Sequence, residues 1–405
     1  MLDARIPAEG FGGVQQVVIG LALGLTALDP PDIDFLFLAY PDAPDWLLSY
    51  LESAERLRFV TTPTTTRAKY WAKRIPGLQA VYRALTPNRI PRSDGRLEAL
   101  EPDIMHFTFQ AAFLTSVPSI YHPHDLQHLH LPEMFTERDI RIREHRYRAF
   151  CDQASLVSVT STWGRDDLIS AYGLPAEKVA VVPLAPVIDH YPDPSASDLV
   201  AISRSLSLPD RFAFYPAQTW PHKNHETLLR AVAILRQREG LVVPLVFSGF
   251  QTGGLDRLIE LSSSLGVGSD VHWLGFVKPA VLNGLYRLAH CVVVPTLFEA
   301  TPFPVWEAFS AGVPVACSNV TSLPRQVGDA ALVFDPRSPE EMATAIRRIW
   351  KDDELRRRLV ELGRERVAEF TCERTAGLFA AHYRQLAHRE LSEHDRAILA
   401  AAPAL

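Results

Sequence analysis

The chain has 405 residues, 47% of them apolar and 22% charged, with a net charge of −6. That length exceeds one ordinary core and predicts two or three domains of a soluble globular protein. The charge balance gives no sign of a nucleic-acid partner, no uninterrupted apolar run reaches the ~18 residues of a membrane span, and the opening MLDARIPAEG lacks a basic region followed by an apolar one, so no signal peptide is expected. Cys151, Cys291, Cys317 and Cys372 are far apart and form no CxxC pair. They read as buried single thiols, which points to a reducing, cytoplasmic setting.

In chain order, MLDARI is the stub of a first strand, which suggests a late start codon or a truncated sheet edge. EGFGGVQQ then opens a helical stretch that is too short to span a membrane and carries Gln15 and Gln16. Asp32 and Asp34 form a DxD just before the strand-like DFLFLAY. They lie on the N-terminal side of that strand, the wrong edge for ligands in a parallel sheet, and read as a solvated loop. Residues 56–96 hold ten Arg or Lys against one acid, Asp94, so this segment carries +9 in a chain whose total is −6. Tyr70, Trp71 and Tyr82 lie within it. Two readings stay open: a solvated helical insertion, or a surface for peripheral contact with the inner membrane face or an anionic acceptor.

The runs DIMHFT, SIYH, LVSVTS and KVAVVP alternate with helical patterns, as βαβ units do. PLAPVIDHYPDPSASD is rich in Pro, Asp and Ser and reads as a linker. Beyond it the alternation restarts with RFAFYPAQ, PLVFSGF, VHWLGF, CVVVPT, PVACSN and ALVFDP, and residues 340–390 read as helices throughout. The expected organisation is a domain over 1–188, a linker over 189–208, a second α/β domain over 209–368, and a C-terminal helix and tail over 369–405. Ligands of such sheets bind beyond the carboxyl ends of strands.

FEATPFPVWEAF, residues 298–309, follows the strand CVVVPT and meets that condition. Pro304 suits a first helical turn and Gly312 a C-terminal cap. Glu299 then lies on the loop and Glu307 in the first turns of the helix. Between them, backbone N–H groups at Thr301, Phe303 and Val305 are expected to be free near a helix N-terminus, which makes an anion site. On the residues alone, Glu299 as a surface acid and Glu307 as a dipole-favoured helix start remain the competing reading.

The E-x7-E spacing followed by EAFSAGVPV resembles the signature of retaining glycosyltransferases of the GT-B fold, family 4. YPAQTWPHKNHETLLRA is similar to that family's phosphate-binding segment, with Lys223 at the lysine position, and FTCERTAGLFAAHY is similar to its C-terminal crossover helix. EGFGGVQQ resembles the family's glycine loop, and IYHPHDLQHLHLPE its active-site HD at His124 and Asp125. The resemblance implies an α/β fold of two Rossmann-like domains facing across a cleft, with a helix crossing back. It implies an enzyme that moves a sugar, with retention, from a nucleotide diphosphate sugar to a glycan or lipid-linked acceptor without a metal. On these residues Glu307 would hold the ribose, Glu299 the donor sugar, and Lys223 the leaving diphosphate. Gly12 and Gly13 would let the backbone approach the phosphates, and His124 would lie near the sugar. Gln218, Thr301, Phe303, Pro304 and Val305 would complete the donor site, with Asp125 and His128 on the acceptor side.

Two departures bear on the site. Gln218 stands where the family has an arginine, so Lys223, or another cation such as Arg325, must carry more charge. Pro302 stands where the family has glycine, which removes one N–H donor. Two alternatives remain. His122, His124 and Asp125 could ligate a metal in a hydrolase, or the chain could bind nucleotide sugars without catalysis.

Overall fold

The computed structural model describes residues 1–6, 12–40, 45–48, 50, 57–61 and 89–401. It forms two compact units: residues 1–184 with 371–404, and residues 185–370. The first unit holds a seven-stranded sheet and the second a six-stranded one.

In the first unit the strands are β1 (Leu2–Asp3), β2 (Phe35–Ala39), β3 (Leu57–Thr61), β4 (Met105–Phe107), β5 (Ser119–Tyr121), β6 (Leu156–Val159) and β7 (Val179–Val181). They lie in the order β3-β2-β1-β4-β5-β6-β7, all parallel. The second unit has β8 (Ala213–Pro216), β9 (Leu245–Ser248), β10 (Val271–Trp273), β11 (Cys291–Val294), β12 (Val315–Ser318) and β13 (Ala331–Phe334), in the order β10-β9-β8-β11-β12-β13. Every strand-like run of the sequence maps onto one of these. A parallel sheet covered on both faces needs apolar side chains on both, hence runs such as CVVV, all buried. In both units the strand order reverses beside the first strand, between β1 and β4 and between β8 and β11. These are the topological switch points at which such sheets leave a crevice.

β1 corrects one expectation. It has two residues, yet it is central, pairing with β2 through Leu2–Phe37 and with β4 through Leu2–His106. It is no sheet edge. The proposed linker is also not one. Residues 189–208 belong to the second unit; helix α1 is Gly12–Leu28 of the first unit, and 196–205 form helix α2 (Ala196–Ser205). Ser195 and Asp198 close a capping box at its start. Asn283 donates to the Pro192 carbonyl and Arg287 pairs with Asp193, tying this stretch to its own unit. Asp32, expected to be solvated, accepts from Nε and Nη2 of Arg384, both at 2.8 Å.

The helix Cys372–Leu386 returns the chain to the first unit. Thr371 caps it, and Thr375 donates its hydroxyl to the Pro183 carbonyl. It packs on α1 at very close range. A Cβ added at Gly24 would sit 2.1 Å from the Cys372 carbonyl oxygen and 2.7 Å from the Ala376 Cβ. All four cysteines are buried and free. No helix among the described residues is long and apolar enough to cross a membrane. Most of the basic segment 56–96, with Tyr70, Trp71 and Tyr82, lies outside the described residues.

Gly24→Ala is expected to force the two helices apart and cost roughly 1–3 kcal/mol, the scale of overpacking. Urea denaturation followed by near-UV signals of the first unit measures it.

Candidate functional site

The switch point of the second unit gathers the strongest of the predicted residues. After β8 the chain runs through Ala217, Gln218 and Thr219 to a 3-10 turn, Pro221–Lys223. Asn224 follows in the left-handed region at φ 60°, and helix α3 (His225–Glu239) begins. The Asn224 amide donates to the carbonyls of Pro295 (2.9 Å) and Pro336 (2.8 Å), which stitches this turn to the loop after β11. The Tyr215 hydroxyl donates to the Lys223 carbonyl, and Leu297 N–H donates to the His222 carbonyl at 2.8 Å. Lys223 is thereby set beside the β11 loop, and its Nζ donates to Glu299 at 2.7 Å. The two side chains are 21% and 12% exposed. The Glu299 carbonyl in turn accepts from the Thr321 hydroxyl.

Helix α4 (Pro279–Leu288) and helix α5 (Phe303–Ser310) meet below this loop. Glu307, 2% exposed, accepts a short hydrogen bond from the Tyr286 hydroxyl. Burial first, and then the Glu307 charge, raise Tyr286 well above its ordinary value, so it stays a donor.

The backbone donors differ from expectation. Phe303 N–H donates to the Thr301 carbonyl and Val305 N–H to the Pro302 carbonyl. Pro302, at φ −83° and ψ 59°, centres an inverse γ-turn. The fixed proline φ closes a turn that uses Phe303 as its donor, so Phe303 and Val305 are not free for an anion. Pro304 is at the second position of α5, as proline in a first turn should be.

Gln218 accepts from the Trp220 indole N–H. Arg325, the substitute cation, is exposed on the short helix Leu323–Val327. Sequence reasoning missed an aromatic rim beside this loop. Trp220, Phe250 and Phe276 are exposed after β8, β9 and β10, with the two phenylalanine rings 5.6 Å apart. Gly249 N–H donates to the Gly275 carbonyl, and Thr219 and Thr252 exchange hydrogen bonds. Gly249, at φ 130°, lies against the Ala217 carbonyl, where a Cβ would come within 2.7 Å. The glycines in SGF and LGF, directly after strands, were the available signal.

In the first unit, Gly12 begins α1 at φ 38° and Gly13 follows it, both exposed; residues 7–11 of the glycine loop lie outside the described residues. His124, after β5, sits at φ 61°. Its ring bonds the Thr108 backbone, and its Nε2 is buried with no hydrogen-bond partner. Burial pushes its pKa down against the pull of Asp125. Thr108 itself donates to the Asp3 carbonyl, and Asp3 holds Arg5 at 2.6 Å at the carboxyl end of β1. These two were hidden by the reading of MLDARI as a stub.

Other members of the histidine cluster are engaged elsewhere. His122 Nε2 bonds His106 Nε2 at 2.8 Å, and His106 reaches the Tyr383 hydroxyl. Asp125 accepts from Gln127 N–H. His128, expected on the acceptor side, is fully buried against Glu144 and stacked edge-on to Tyr147. His130 pairs with Asp167. His122, His124 and Asp125 do not converge as metal ligands, and among the described residues no group of three or more His, Cys, Asp or Glu is placed to hold a metal ion.

Two doubly wound units of parallel strands in one chain have the GT-B architecture. The solved structure of Anabaena HepE with UDP and glucose matches with a TM-score of 0.70 at 19% identity, covering 95% of this chain and 98% of that one. WaaG, a glycosyltransferase involved in lipopolysaccharide biosynthesis, matches with a TM-score of 0.65 at 16% identity over the same shares. Residues 11–185 match glycosyltransferase family 4, and residues 202–366 match glycosyl transferases group 1. The chain belongs to this family of glycosyltransferases. Among curated relatives, O-antigen chain mannosyltransferase B of Escherichia coli is 31% identical over 62% of this chain and 66% of its own length. A D-inositol 3-phosphate glycosyltransferase of Corynebacterium jeikeium (strain K411) is 30% identical over 60% of this chain and 62% of its own. The alignments thus span just under two thirds of these relatives.

His225, the residue after Asn224, supplies a pH test. It is buried among Tyr215, Phe247 and Trp273, and neither ring nitrogen has a partner. Burial, and then Lys223, push its pKa down from 6.5 to about 3. The folded ring is therefore neutral while the unfolded ring still takes up protons. Its stability is complete above pH 6.5 and lost as pH falls toward 3. His225→Phe is expected to remove a loss of about 1.4 kcal/mol per pH unit in that window. Urea titrations at pH 7 and pH 4.5 compare the two proteins.

Proposed function

We propose that this protein transfers a sugar from a nucleotide diphosphate sugar to an acceptor hydroxyl in the synthesis of a cell-surface glycan, with retention at the anomeric carbon. The observation that carries this reading is the meeting of Lys223 with Glu299 at the switch point of the second unit. A diphosphate placed there takes Lys223 as its cation, with the positive end of the α5 dipole adding to it. Glu299 turns to the sugar hydroxyls. Glu307, oriented by Tyr286, accepts from the ribose, and Phe250 and Phe276 offer faces for the base.

In the reaction, the bond from the anomeric carbon to the diphosphate breaks as the acceptor oxygen bonds to that carbon from the same face. The acceptor proton passes to the departing phosphate oxygen. The chain's contribution is to stabilise the leaving charge through Lys223 and to bind the sugar through Glu299. This assigns the charge to the chain's own groups, so activity in excess EDTA should be unchanged. The names of the relatives, an O-antigen mannosyltransferase and a UDP-binding HepE, support a nucleotide sugar and a glycan product.

A thermal-shift screen of UDP, GDP, dTDP and ADP sugars tests the donor. Lys223→Ala is expected to weaken both diphosphate and sugar nucleotide by about 2–3 kcal/mol, the scale of one charge-assisted contact. Unchanged affinity in calorimetry removes Lys223 from the site.

We also propose that the basic segment 56–96 guides the enzyme to a membrane-borne or anionic acceptor, because basic residues gain about 1 kcal/mol each near an anionic surface. Co-sedimentation with anionic vesicles should fade at high salt and be lost when Lys69, Lys73 and Arg74 become Glu. Absence of binding at low salt would leave the segment a structural role.

A further inference from the structure

Lys223 and Glu299 form an ion pair at 2.7 Å before any ligand arrives. Their main chains are pinned separately, Lys223 by Tyr215 and by Asn224, Glu299 by Thr321. Rotation of the two side chains is enough to separate the charges. A diphosphate that takes Lys223 must compete with the Glu299 carboxylate, 12% exposed, for that cation. A carboxylate that gives up its lysine gains from new donors at the same place. The sugar of a nucleotide sugar supplies hydroxyls at that end, and a nucleoside diphosphate does not.

We propose that Glu299 is a discriminator between donor and spent donor. With the sugar nucleotide bound, Glu299 exchanges Lys223 for sugar hydroxyls and the diphosphate keeps the lysine. After transfer the hydroxyls depart with the acceptor. Glu299 then recaptures Lys223, and the diphosphate is released because its cation has been withdrawn. The exchange is an equilibrium between two partners of one carboxylate, so it shifts only by the difference in what each ligand offers. This rests on the donor-binding reading above. It adds that Glu299 opposes binding of the product, where a carboxylate serving the sugar alone would leave product affinity untouched.

Calorimetry on the full chain, with UDP and UDP-glucose and with GDP and GDP-mannose, tests it in the wild type, Glu299→Gln, Lys223→Met and the double variant. The wild type should bind the sugar nucleotide more tightly than the diphosphate. Glu299→Gln should tighten the diphosphate roughly tenfold, the scale of one charged contact, erase that preference and strengthen product inhibition. In the Lys223→Met background the tightening should vanish, because no lysine remains to be freed. Glu299→Ser provides the same test if the glutamine variant is poorly folded. Unchanged or weaker diphosphate binding in Glu299→Gln overturns the exchange. So does tightening that persists in full without Lys223, which would assign it to direct repulsion. If Lys223→Met alone changes neither affinity, or the wild type binds none of the four ligands, the donor-site reading itself fails.

Discussion

The parallel pairing of β8 with β11 is the constraint on which the second unit's chemistry depends. These strands are adjacent in space although the segment between them contains β9, β10 and their helices. Both chains leave the sheet on the same side, so the loop carrying Lys223 and the loop carrying Glu299 must run together. Asn224 converts that proximity into a fixed geometry, reaching two carbonyls from a left-handed position that few side chains adopt without strain. A lysine on a freely moving loop would spend ordering entropy on every ligand; here much of it is spent in folding.

The same logic explains which parts of the fold were legible in the sequence. Strands buried on both faces must be continuously apolar, so β11 and β12 stand out as CVVV and VACS. β1 does not, because two residues carry no period, and β3 begins LRFVT with a charged side chain among its apolar ones. The stretch 189–208 misled through composition. Its Pro, Asp and Ser describe a loop, while the specific pair Ser195 and Asp198 describes a helix start, and position outweighed content.

At the site, the place of Glu299 and Glu307 after a strand made them candidates, and the family resemblance added Lys223, but neither indicated their partners. Lys223 and Glu299 are 76 positions apart, and no local pattern links them. Tyr286 lies 21 positions before Glu307 on another helix. The proline at 302 was read for the donor it lacks. Its larger effect is the turn it sets, which occupies the next donor as well. His128 was expected on the acceptor side through the resemblance, whereas its environment is decided by Glu144, 16 positions on in the helix Glu137–Gln153.

The helix Cys372–Leu386 has a consequence for how the chain is made. The second unit is one contiguous stretch, 185–370, and can complete its sheet as soon as it has emerged from the ribosome. The first unit cannot. Its helix α1 keeps the face around Gly24 open until a segment synthesised some 350 residues later comes back to cover it. The half that is translated first is therefore finished last, and during that interval it presents an uncovered apolar helix face that chaperones are suited to shield.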